Sequence, residues 1–146
     1  MSKMNAWILD FGNNYKAAVG GRELLHLIDT PVIYAVPHTP SFCNKVVSWQ
    51  EQLLPVMDIA AKLGGANQSV KFIAVVGYQN QRGKQPEYAG LKLDSPPKQV
   101  SISDEHACNL PEAAQFWHEI AISCFEYQGE AIPVINLQVV FKAYSN

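Results

Sequence analysis

Two short segments of this chain repeat one another. Leu53–Ile59 reads LLPVMDI and Ala131–Leu137 reads AIPVINL. An offset of 78, the spacing from Asp58 to Asn136, aligns more than these two cores. It sets Trp49 on Tyr127, Gln50 on Gln128, Glu51 on Gly129, Pro55 on Pro133, Val56 on Val134 and Leu63 on Phe141. Each copy runs from a polar turn through an apolar strand to an Asx residue. Proline cannot donate to a sheet ladder, so the strand is expected at an edge or finishing near that point. Asp58 and Asn136 are suited to cap a following helical turn by accepting from its free amides. Ile59–Leu63 then reads as a short helix that Gly64-Gly65 can stop. A duplication explains the shared Pro-Val, the shared Asx cap and the aromatic–Gln turn better than coincidence does. It implies two similar halves.

The rest of the chain reads as short strands. Ala6–Phe11 is a first strand, turned at Gly12-Asn13-Asn14 onto Tyr15–Val19. Arg22–Ile28 is expected to be extended with a local irregularity. Thr30–Val36 is rich in β-branched and aromatic residues, and Phe42–Trp49 forms a hairpin with Leu53–Met57 around Gln50-Glu51-Gln52. Val70–Gly77 is a buried strand, and the polar stretch Tyr78–Tyr88 reads as an exposed loop. Ala89–Leu93 and Gln99–Ile102 continue extended, either side of a turn at Asp94–Pro97. Pro111–His118 reads as a helical turn with proline at its start. Ile120–Tyr127 pairs with Ala131–Ile135, and Leu137–Tyr144 closes as a short helix. Nine or ten strands with turns every 8 to 12 residues predict an all-β sandwich or barrel rather than βαβ units. With the duplication, two small barrels packed side by side follow. They are expected within a single domain over 1–146, meeting roughly near 78–90.

Charge excludes several function classes. Net charge is −2 and the pI is near 6.0, so the chain carries no electrostatic footprint for nucleic acid. It has no basic run for anionic lipid. No apolar stretch reaches about 18 residues without a charge, and Met1–Asn5 is too short and polar for a signal peptide. A cytoplasmic protein without membrane insertion is expected. Hydrophobic residues make up 48% of the chain and charged residues 16%, against about 25% charged in an average domain. That surplus suggests apolar surface that meets partners. Cys43, Cys108 and Cys124 are an odd set without metal-type spacing, consistent with a reducing compartment.

One ordered series of motifs resembles a known family. Val36-Pro37-His38-Thr39-Pro40-Ser41-Phe42 is followed by Val46-Val47-Ser48-Trp49, then Leu54-Pro55-Val56-Met57-Asp58-Ile59, then Leu63-Gly64. Arg22-Glu23-Leu24-Leu25 lies upstream; Gly90-Leu91-Lys92-Leu93-Asp94 and Gly129–Leu137 lie downstream. Together they resemble the CheW-like domain of bacterial chemotaxis coupling proteins over nearly the whole chain, with Val36–Gly64 the specific part. The resemblance implies two five-stranded SH3-like barrels with a hydrophobic core between them. It implies a non-catalytic adaptor, without a cofactor, that links chemoreceptors to a histidine kinase; it leaves self-association open. A kinase-facing surface would hold Glu23, Lys45, Trp49, Gln50 and Glu51. A cleft between the barrels, lined by Val36, Val47 and Leu53, would accept a receptor helix. Two departures stand out. The family shows Arg-Gly where this chain has Gln50-Glu51, and a glycine where it has Lys45. Replacing a cation by a neutral amide removes an ion pair that the arginine could make with the carboxylate matching Glu23. Such a change can alter which partner docks.

Other chemistry weighs less. Asp58 reads as a helix cap rather than a catalytic acid. Cys43 with His38, or Cys108 with His106, would be needed for a small β-barrel enzyme or ligand-binding protein, and neither pair carries a local signature. His106, Cys108 and His118 match no strong zinc spacing. Gly20-Gly21 and Gly64-Gly65 lack the spacing of a phosphate loop.

Overall fold

The structure is a computed structural model that describes residues 3–37, 44–62, 70–79, 85–110 and 115–141. His38, Cys43, Leu63, Gly64-Gly65 and Pro111 lie outside the described residues, as do the middle of the expected polar loop after Tyr78 (80–84) and the end of the last expected helix. The strands in chain order are β1 (Lys3–Gly12), β2 (Tyr15–Gly20), β3 (Leu24–Asp29), β4 (Ile33–Ala35), β5 (Lys45–Trp49) and β6 (Gln52–Met57). There follow β7 (Phe72–Tyr78), β8 (Glu87–Leu93), β9 (Lys98–Ser103), β10 (Ala121–Tyr127) and β11 (Glu130–Ile135). Three helices of one turn each are α1 (Ile59–Lys62), α2 (Gln115–His118) and α3 (Leu137–Val140).

The strands form two curled sheets, ordered β10-β11-β2-β1-β9 and β3-β7-β8-β6-β5-β4. The all-β architecture expected from turn spacing is present, and SH3-like barrels describe it. The second sheet adds β4 to the five strands expected. The chain passes between sheets twice, once after β2 and once after β8. One lobe, here the central lobe, is therefore the continuous run β3–β8. The other, the split lobe, takes β1 and β2 from one side of that run and β9–β11 from the other. No single cut near 78–90 separates them. The hairpin β1–β2 occupies in the split lobe the place that β7–β8 occupies in the central lobe, but it precedes its partners in the chain instead of following them.

The duplication is carried by the elements themselves. β6 and β11, and α1 and α3, stand in register at the offset of 78. Val56 pairs in parallel with Gly90, and its equivalent Val134 pairs in parallel with Ala18. Asp58 accepts from the Ala61 amide at 3.1 Å, and Asn136 from the Gln138 amide at 3.0 Å. Both Asx residues are thus caps. Of the two expected placements, the prolines take the second: β6 sits between β5 and β8 and β11 between β10 and β2, but each strand ends two residues past its proline. Pairing explains why they are tolerated. Trp49 faces Gln52 across a two-residue turn and Pro55 faces Val46. Alternation of the antiparallel ladder makes 49–52 a hydrogen-bonded pair and 46–55 a non-bonded one. The missing proline N–H therefore points away from β5, and pairing with β8 starts only at Val56.

Burial divides the interior into three layers. Ala6, Ile8, Ala18, Val100, Phe125 and Ile132 fill the split lobe. Val47, Leu54, Val56, Ile73 and Val75 fill the central lobe. The largest layer lies between them. It combines Leu9, Phe11, Ala17 and Val19 with Met57, Ala74, Val76, Ala89, Leu91 and Leu93, and with Ile59 and Leu137 from the paired helices. Tyr78 stacks on Phe141 across this layer with ring centroids 5.6 Å apart. Gly90 lets two strands of the central lobe approach, since a Cβ there would lie 2.8 Å from Ile73 Cγ2. Lys92 is a charged residue inside this interior, 7% exposed. Its Nζ donates to Asp58 Oδ2 at 3.0 Å, so one carboxylate both caps α1 and neutralises β8.

These contacts set an order of cost. Asp58→Ala removes both the cap and the carboxylate paired with the buried Lys92, and is expected to destabilise by about 2–4 kcal/mol. Lys92→Met removes the charge, keeps the apolar volume and leaves the cap, and is expected to cost about 1 kcal/mol or less. Urea denaturation of both variants checks the order. Gly90→Ala is expected to cost about 1–3 kcal/mol by overpacking against Ile73, read as a lowered thermal midpoint.

Candidate functional site

The surface of interest is built on β5, β6 and the turn between them. Alternate residues of these strands point inward, and the remainder face out. Inward-facing Val47 is 1% exposed and belongs to the central-lobe core. Outward-facing Leu53 is 66% exposed. Beside it, Tyr34 of β4 pairs with Val46, which pairs with Pro55. Tyr34 and Val32 are also exposed, at 53% and 68%. The outer face of the β4–β5–β6 ribbon is therefore apolar and open. Its outermost strand, β4, is a short sheet edge.

One end of the central lobe is closed by aromatic rings. Trp49 packs on Tyr88 with centroids 5.6 Å apart. Tyr88 pairs with Gly77 across the ladder. A Cβ on Gly77 would lie 3.1 Å from Leu25 Cδ1 and 3.3 Å from the Tyr88 ring. The Gly77 amide in turn donates to the Glu23 carbonyl at 2.9 Å. Glu23, Leu25, Trp49 and Tyr88 thus gather at one barrel mouth, with Gln50 and Glu51 exposed at its rim. The Glu23 carboxylate is not free for the turn: its Oε1 accepts from the Gly20 amide at 2.7 Å. Burial raises the carboxyl above the ordinary glutamate value, and that amide bond partly offsets the rise.

The residues expected to face a kinase are thus brought together in part. Glu23, Trp49, Gln50 and Glu51 share the mouth. Lys45 lies at the opposite end of β5, paired with Ala35 and Val56, about 13 Å away along the strand. Val36, Val47 and Leu53 do not line one cleft. Val47 is sealed in the core and Leu53 points outward from the same sheet. Val36 is half-buried beyond β4, where its amide donates to the Asn44 carbonyl at 2.7 Å. None of the three belongs to the layer between the lobes. Sequence reading missed Tyr88, whose polar neighbours made it look like loop, and Tyr34, whose exposure no local pattern reveals.

The turn has an unusual backbone. Gln50 and Glu51 both adopt left-handed φ, at 48° and 65°. Its counterpart in the split lobe, Gln128-Gly129, has φ of 51° and 81°, with glycine at the second position. A side chain in this region costs about 1–2 kcal/mol per residue, which asparagine and glycine largely avoid.

His106 Nδ1 accepts from the Ser103 amide at 3.0 Å, turning the ring back on its own turn. Among the described residues, no three His, Cys, Asp or Glu side chains gather to hold a metal. No described helix is long and apolar enough to cross a membrane.

Two β lobes packed through a shared apolar layer, with an aromatic mouth and an open apolar ribbon, define a recognition module. The chain belongs to the CheW-like domain family, whose model matches residues 18–143. A chemotaxis protein CheW from Rhizobium meliloti (strain 1021) is 26% identical over 109 residues, covering 73% of this chain and 67% of that protein. The fold is also that of the scaffolding protein TtCheW from Thermoanaerobacter tengcongensis. The two match with a TM-score of 0.80 and 15% identity, over 99% of this chain and 97% of that one.

Glu51→Gly is expected to raise stability by about 0.5–1 kcal/mol, because it relieves the left-handed side chain but adds freedom to the unfolded state. A shift of the urea midpoint at unchanged slope would register it.

Proposed function

We propose that this chain is a non-catalytic adaptor in bacterial chemosensory signalling, bridging a chemotaxis-type histidine kinase and a chemoreceptor in the cytoplasm. Family membership supports the class of function. The observation that carries the binding mode is the apolar ribbon running into the aromatic mouth: Tyr34, Val46, Leu53 and Pro55 on the outer face, Trp49 and Tyr88 at its end. An exposed apolar patch beside a short open edge is the kind of surface that docks another β protein. The rings at its end are half-buried, packed against the central-lobe core, and partly exposed aromatic residues are suited to anchor a contact. The rim residues Gln50 and Glu51 then act on partner choice. A neutral amide and a carboxylate stand where the family carries a cation and a glycine, so a partner tuned to the cation loses its counter-charge here. The alternative reading, a small enzyme or ligand-binding protein using Cys and His residues, has no observation that favours it.

Capture on the immobilised chain from cells of its own source is expected to recover a histidine kinase together with a methyl-accepting receptor. Gln50→Arg with Glu51→Gly is expected to strengthen kinase binding by up to about fivefold, the range of one exposed ion pair. An unchanged dissociation constant for that double variant would remove the turn from the interface.

A further inference from the structure

We propose that Cys108 and Cys124 form a dithiol site which hydrogen peroxide oxidises to a reversible disulfide, locking the seam where the split lobe closes on itself. This goes beyond the adaptor reading and does not depend on it. The seam is a feature of topology. In the sheet order β10-β11-β2-β1-β9, the outer strands β10 and β9 leave the barrel open. Just past β9 and the 3-10 turn Asp104–His106, the chain returns to β10: Ala107 bridges Phe125, and the Cys108 amide donates to the Cys124 carbonyl at 3.1 Å. Two backbone contacts thus place Cys108 directly opposite Cys124. Opposed residues of a hydrogen-bonded antiparallel pair lie about 5.5 Å apart at Cα, at the usual span of a disulfide. The side chains already meet, with the two Sγ atoms 3.1 Å apart. Bond formation to about 2.05 Å needs about 1 Å of sulfur movement.

The two thiols are unequal. Cys124 is buried, whereas Cys108 is half-buried. Both line a surface cavity of about 310 Å³, shared with His118 and Ser123, which gives a small oxidant a path. Burial, reinforced by the contact with Cys108, pushes the Cys124 thiol up to about 12, so Cys124 is not the first nucleophile. The Cys108 thiolate sulfur attacks one peroxide oxygen. The O–O bond breaks, hydroxide leaves, and a sulfenic acid remains on Cys108. The Cys124 sulfur then attacks that sulfur. The S–O bond breaks and the hydroxyl departs as water with the proton of Cys124. In sum, two thiols and one peroxide give one disulfide and two waters; the sulfurs lose two electrons and the peroxide gains them. A cellular dithiol reductant reverses the step by thiol–disulfide exchange.

The test uses the full chain in a Cys43→Ala background, so that only this pair is counted. After treatment with hydrogen peroxide, the intact mass is expected to fall by two hydrogens. Both thiols are expected to resist alkylation, and a peptide map to join 108 to 124. The thermal midpoint is expected to rise by about 5 °C, as closure of a short loop predicts, and dithiothreitol is expected to undo every change. Cys108→Ser and Cys124→Ser are each expected to abolish the mass loss. The proposal is overturned by oxygen addition at Cys108 with Cys124 still alkylated, by a disulfide-linked dimer, or by an unchanged mass.

Discussion

The fold rests on one apolar layer, pressed between two hairpins. β1–β2 and β7–β8 face each other across it, and each also covers the core of its own barrel. Their strands are therefore buried on both sides: Ala17, Ala18 and Val19 in one hairpin, and Ile73 through Val76 in the other, have no exposed surface. Such strands cannot alternate between apolar and polar residues. They carry small or β-branched side chains instead, and glycine or alanine where a third strand comes close. Ala18 and Gly90 hold equivalent places, each beside a valine of the duplicated segment. Because each hairpin belongs to two cores at once, the barrels share the packing that stabilises them.

The duplicated segment shows what local sequence can encode. A two-residue turn, a strand ended by an Asx cap, and one turn of helix depend on neighbours within about ten residues. Both copies appear in the structure at the predicted spacing. Sheet assembly depends on contacts far apart in the chain. Nothing in the residues of β1–β2 states that they pair with β11 rather than with a strand of the central lobe, since doubly buried strands present no polar face to fix their side. For the same reason the boundary between lobes was not legible. Tyr78, Glu87 and Tyr88 extend the β7–β8 hairpin into what reads as polar loop, because the intervening Gln, Asn and Pro residues dominate any window that contains them.

Site residues divide along the same line. The two-residue turn after Trp49 was legible as structure, because a hairpin tip depends only on its neighbours in sequence. The grouping of Val36, Val47 and Leu53 failed because three apolar residues near one another in sequence need not share a face. Val47 and Leu53 belong to adjacent strands of one sheet yet point to opposite sides. The juxtaposition of Cys108 and Cys124 was equally hidden. Sixteen positions separate them, and only the return of the chain onto β10 brings them into contact.

The split lobe draws its strands from both flanks of the central one, and this fixes a sequence of events during synthesis. The ribosome delivers β1–β2 early, but their outer partners come much later: β9, which pairs with β1, and β11, which pairs with β2, emerge roughly 80 to 110 residues on. At roughly 5–20 residues per second, that interval lasts several seconds. Throughout it, a hairpin apolar on both faces has only half of its eventual cover. The central lobe, made from one unbroken stretch, can fold meanwhile and offer the other half. A nascent chain of this design is thus protected by its own middle until its last strands arrive.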